Sequence, residues 1–138
     1  MIQFISAINW LGVLIAFVGY SFLGALWFTL LFKKTYFASL GKTADTVQNS
    51  APIFIVGPMV CSLFITVTSA LFIYALNINT YGQALEFALI TGVGYLFANT
   101  VNIAINPNMP RPLHYGLISG MFHVTGMVIV SLVIVAMK

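Results

Sequence analysis

Few side chains in this 138-residue sequence can do chemistry, and their spacing restricts what that chemistry is. Besides five cations (Lys33, Lys34, Lys42, Arg111 and Lys138), the chain carries two histidines, one cysteine and two carboxylates. His114 and His123 are nine residues apart, which on one helix places them on opposite faces. They cannot share a metal ion within one chain, and no carboxylate or second thiol is near in sequence. No metal and no cofactor is expected. Cys61 stands alone, so neither a disulfide framework nor a thiol relay is available. What remains is His123 as a proton donor or acceptor. Beside it runs an uncharged series at helical spacing, Asn106, Asn102, Asn99 and Tyr95. Such groups suit hydrogen bonding to a polar ligand, or to another helix, better than bond making.

The elements that position these residues follow from composition. Hydrophobic residues make up 61% of the chain and charged ones 5%, against roughly 45–50% and about 25% in a soluble domain. Seven full charges cannot solvate a globule of this size, and five scattered cations do not make a nucleic-acid surface. Lipid is the expected solvent. A hydrocarbon core about 30 Å thick takes about 20 apolar residues per helix. Four stretches qualify: 8–32, 52–76, 84–105 and 113–137. The connecting segments are rich in turn formers, notably Asn77–Gln83 and the rigid Asn-Pro-Asn-Met-Pro-Arg-Pro over 106–112. Backbone amides in hydrocarbon must be bonded internally, so runs this long and unalternating are helices. The expected fold is an all-α membrane protein, a single domain of four transmembrane helices. The first run lacks a basic start and is too long for a cleaved signal peptide, so it is expected to remain.

Loops one and three carry Lys33, Lys34, Lys42 and Arg111, whereas the opposite side carries only Lys138. This imbalance places those loops in the cytoplasm and both termini outside, in the cytoplasmic membrane. Lys33, Lys34 and Arg111 are then interface residues beside lipid headgroups. In loop one, Tyr36, Phe37, Leu40, Ala44 and Val47 recur at helical steps and suggest interfacial helical pieces within 33–51. Gly41 stops the first piece, and Thr43 caps the second with Asp45 in its first turn.

At 1.5 Å per residue, Asn102, Asn99 and Tyr95 lie roughly 5, 9 and 15 Å from the cytoplasmic end of the third helix. Ser119 and His123 lie roughly 9 and 15 Å into the fourth. Ser62 reaches a comparable depth on the second helix, and Trp27 approaches from the first.

Two strings carry a family resemblance: Gly24-Ala-Leu-Trp27-Phe28-Thr29-Leu-Leu-Phe32-Lys33-Lys34, and Arg111-Pro112-Leu113 followed by Leu117-Ile118 and Phe122-His123. With the Leu40-Gly41-Lys42-Thr43-Ala44-Asp45 turn, they resemble the bacterial membrane family called domain of unknown function 1761. The likeness spans nearly the whole chain. Phe122 replaces a frequent Tyr of that family, and Leu30 a frequent Pro. The resemblance implies a small four-helix integral membrane protein and brings no activity with it.

Two readings of the polar residues stay open. In one, His123, Asn99, Asn102, Tyr95, Ser119, Trp27 and Ser62 line a pocket, open to the cytoplasm, that binds or moves a small molecule or lipid. In the other they are helix-packing contacts of a structural or accessory subunit, each worth about 0.6 kcal/mol. A third and least favoured reading is a membrane enzyme that uses His123 as acid or base; it needs an acid-base partner, and no acid appears at that depth. Proton-driven export of the small multidrug type would need an acid in the first helix, which has none. Four short helices enclose little space, so a homodimer or a partner helix is a further expectation. Small residues paired at four-residue spacing, Gly12 with Ala16 and Gly116 with Gly120, mark close helix contacts within or between chains. Val18-Gly-Tyr20-Ser-Phe22 echoes Val93-Gly-Tyr95-Leu-Phe97, consistent with two hairpins in parallel repeat or with chance.

Overall fold

The computed structural model describes residues 2–43, 45–46 and 51–138, and all regular structure among them is helical. A 3-10 turn over Ile2–Ala7 leads into α1, Trp10–Leu26, which a π turn extends over Trp27–Leu31. Asn9 starts α1 because its side chain accepts from the backbone N–H of Leu11 and Gly12. A short α2, Lys33–Ser39, follows, and then α3 spans Ile53–Ala75. Next come α4, Tyr81–Thr91, a second π turn, Gly92–Phe97, and α5, Ala98–Ala104, which run on as one rod. Finally α6 covers Pro112–Ala136, with proline where a missing N–H is tolerated.

The third rod begins earlier than its apolar run. Thr80 and Gln83 form a capping box, each side chain bonding the other's backbone, so the polar loop residues Tyr81, Gly82 and Gln83 are already helical.

Four segments are long and apolar enough to cross a membrane: Trp10–Leu31, Ile53–Ala75, Tyr81–Ala104 and Pro112–Ala136. The chain is a multi-pass membrane protein. The spans are not equivalent: 56% of the core stretch of α6 is buried, against 22% for each of the others. Thus α6 is the axis around which the rest assemble.

Small residues make that possible. A Cβ on Gly12 would lie 3.1 Å from Met137, one on Gly116 3.2 Å from the Val101 backbone, and one on Gly120 2.5 Å from the Phe97 ring. Both small-residue faces therefore serve contacts inside this chain.

The two ends are tied differently. At one, the Asn9 amide donates to the Met137 carbonyl at 2.8 Å, Tyr74 Oη accepts from the Asn9 N–H, and Lys138 Nζ donates to the Ile78 carbonyl at 3.1 Å. That end gathers the N-terminal turn, loop two and the C-terminus. At the other, Tyr36 of α2 meets the Tyr115 ring at 5.8 Å, and Gly41 lies against Pro110. Loops one and three share that end. The first helical piece expected in loop one is α2, followed by Gly41 at φ +70°, where a Cβ would strain the chain. Asp45 lies in a turn, and Ala44 and Val47 of the expected second piece fall outside the described residues.

Candidate functional site

Near the middle of α6, His123 Nδ1 lies 2.6 Å from the hydroxyl oxygen of Tyr20 on α1. Tyr20 is fully buried, and its ring fits only because Gly126, one turn beyond His123, has no side chain. Phe122 flanks the pair, 5.2 Å from Tyr20 and 4.9 Å from His123 between ring centroids. An aromatic cluster then runs toward the end carrying loops one and three. Phe28 lies 5.2 Å from Phe122 and 4.9 Å from Tyr36, and Trp27 lies 4.4 Å from Phe32. The Trp27 indole N–H donates to the Ile118 carbonyl at 3.1 Å. A tryptophan in a greasy helix thus satisfies its one donor without a ligand.

The other hydroxyls are mostly bonded along their own helices. Thr66 donates to the Ser62 carbonyl and Ser69 to that of Ile65, with the Met127 sulfur 3.6 Å away. Such bonding to the carbonyl four residues back satisfies a hydroxyl without a neighbouring helix. Among the described residues, Ser119 Oγ is buried with no hydrogen-bond partner.

The third rod departs from the expected pocket. Tyr95 is 72% exposed, and Asn99 and Asn102 are also exposed, on a face turned away from His123. The π turn is the cause. Along α4 the buried face runs through Ala84, Phe87 and Ala88 to Gly92. Uninterrupted α-helix would carry that face on through Tyr95, Asn99 and Asn102. The wider turn at Gly92–Phe97 takes up extra residues per turn and shifts the phase. The inward face becomes Leu96, Phe97, Thr100, Val101 and Ala104. Three polar side chains are thereby rotated onto the outer surface. Among the described residues, no protein group hydrogen-bonds the side chains of Tyr95, Asn99 or Asn102.

The expected site residues therefore fall into two groups. Ser119, Trp27 and Ser62 are buried and His123 is half-buried, with the buried Tyr20 as the member that spacing does not reveal. Tyr95, Asn99 and Asn102 form an outward stripe. Two open surface clefts among the described residues border neither group. One, of about 280 Å³, is lined by Phe28, Thr29, Lys33, Phe37 and Thr46; the other, of about 200 Å³, lies by Ile78, Glu86 and Phe87.

At the loop-one end, Lys33, Lys34 and Arg111 are exposed, and His114 is half-buried one turn from Arg111. Burial, and then the neighbouring Tyr115 hydroxyl, push the Tyr36 phenol above its ordinary pKa. Neither carboxylate reaches His123: Glu86 borders the far cleft, and Asp45 sits beyond α2. Among the described residues no group of three or more His, Cys, Asp or Glu side chains could hold a metal.

The family model described as Protein of unknown function (DUF1761) matches residues 11–135, and the chain belongs to that family. Searches of curated proteins and of solved structures give no match.

Proposed function

We propose, for this member of a family whose description carries no activity, that the protein works as a structural or accessory subunit of the membrane. Its outward stripe Tyr95–Asn99–Asn102 grips a neighbouring transmembrane helix. The supporting observation is the exposure of two amides and a phenol, unpartnered within the chain, on a span that crosses lipid. Polar side chains there are costly and face protein or water. Against a ligand pocket weighs the divergence of the same residues: His123 is bonded to Tyr20, and the asparagines face the other way. The excess of cations on loops one and three favours the cytoplasmic membrane, with those loops inside.

Photo-cross-linking in intact membranes tests this reading. A benzophenone amino acid replacing Asn99 is compared with one replacing Phe64, which faces outward on α3. Protein adducts at position 99 and lipid adducts at 64 support a gripping face. Lipid adducts alone at 99 contradict it.

A further inference from the structure

We infer that the helix held by the stripe is the same span of a second copy, so that the protein is a homodimer built on the third rod. This rests on the gripping face proposed above and names its partner. Three observations carry it.

The first is the chemistry of the face. An asparagine amide offers both donors and an acceptor, so two asparagines facing each other can form a reciprocal pair of N–H···O bonds, each donating one N–H to the other's carbonyl. Copies of one chain insert in the same orientation, so a two-fold axis relating them runs along the membrane normal. On such an axis each residue meets its own counterpart at the same depth. Asn99 then faces Asn99, Asn102 faces Asn102, and Tyr95 lies beside Tyr95. Self-complementary groups occupy the positions where symmetry demands them.

The second is charge. A symmetric contact sets like on like, and a lysine or glutamate would repel its own image. From Thr91 to Ile105 the rod has no ionisable side chain except the Tyr95 phenol.

The third is shape. Gly94 and Ala98, both exposed, sit four residues apart beside the amides. A Cβ on Gly94 would meet nothing within 4 Å, unlike those on Gly92, Gly116 and Gly120, which meet neighbours in the chain. The space it leaves is outside this copy, where another backbone can approach closely enough for short amide contacts. The π turn unites the three. It departs from regular helix at the point that swings the amides outward, and such turns recur at functional positions.

Disulfide cross-linking tests the pairing, with Cys61→Ala throughout so that the introduced thiol is the sole one. Ala98→Cys keeps both amides; Phe64→Cys is the control on a different face. In vesicles, oxidation is expected to join two copies through position 98 and not through 64. Adding Asn99→Leu and Asn102→Leu to Ala98→Cys is expected to lower the yield at least about tenfold, the equivalent of about 1.4 kcal/mol. No dimer through 98, equal dimer through 64, or a yield indifferent to the leucines overturns the homodimer. If that happens while benzophenone at 99 still finds protein, the gripping face survives and only the second copy is wrong. Lipid adducts at 99 remove both.

Discussion

The ring of Tyr20 occupies the space into which a side chain on Gly126 would project. That substitution of ring for methyl brings α1 against α6 at the depth of His123 and sets the 2.6 Å contact between phenol and imidazole. Gly126→Ala is therefore expected to push Tyr20 out of its seat, at a cost of about 1–3 kcal/mol. Thermal unfolding in detergent reads the effect. An unchanged midpoint would mean that the helices are not so closely apposed.

The Tyr20–His123 pair predicts a non-additive cycle. His123→Leu leaves a buried hydroxyl unpaired, which costs about 1–3 kcal/mol. In the double variant His123→Leu with Tyr20→Phe the orphan is gone, so that protein should be more stable than His123→Leu alone. If the two single losses simply add, the bond carries no stability.

Glycines on the rods should separate by what they face. Gly120→Ala meets the Phe97 ring at 2.5 Å and is expected to lower the unfolding midpoint. Gly94→Ala meets nothing within its own copy, so in detergent-dispersed monomer it should leave the midpoint unchanged, or raise stability by up to about 1 kcal/mol through helix propensity. Gly94→Leu should likewise spare the single copy yet reduce the cross-link through position 98. Equal effects at 94 and 120 would show that Gly94 is not on a free face.

Tyr36 predicts a pH effect at the loop-one end. Folding raises its pKa above the ordinary value, near about 10, that the unfolded chain has. Below that pH both states are protonated and the contribution to stability is intact. As pH rises past it, the unfolded state loses its proton first, so stability falls until the folded phenol ionises as well. The fall in unfolding midpoint between about pH 9 and about pH 11 should be steeper in the parent than in Tyr36→Phe. Parallel curves would mean that burial does not perturb Tyr36.

The spans were legible in the sequence because length and charge exclusion act on whole segments. Loops broken by Pro107, Pro110 and Pro112, and the stop at Gly41, were legible for the same local reasons. Which side faces in was not. All four spans are strongly apolar, with mean hydropathy from 1.4 to 2.1, so periodicity does not separate a face toward α6 from one toward lipid. The echo of Val18-Gly-Tyr20 and Val93-Gly-Tyr95 illustrates this: Tyr20 is fully buried and Tyr95 is 72% exposed. The π turn could not be read from residue types, and it alone reverses the placement of Asn99 and Asn102. Tyr20 escaped notice as a partner of His123 because 103 residues separate them and only the glycine at 126 brings them together.

The most direct test of the outward stripe is the exposure of position 99 to the acyl chains. A nitroxide attached through Asn99→Cys, with Cys61→Ala, is compared in vesicles with one at Phe64→Cys by collision with lipid-dissolved oxygen. A face covered by a second copy shields the label at 99 well below that at 64, and Asn102→Leu relieves the shielding. Equal collision rates at the two positions would mean that acyl chains bathe the amides, and the account would fail.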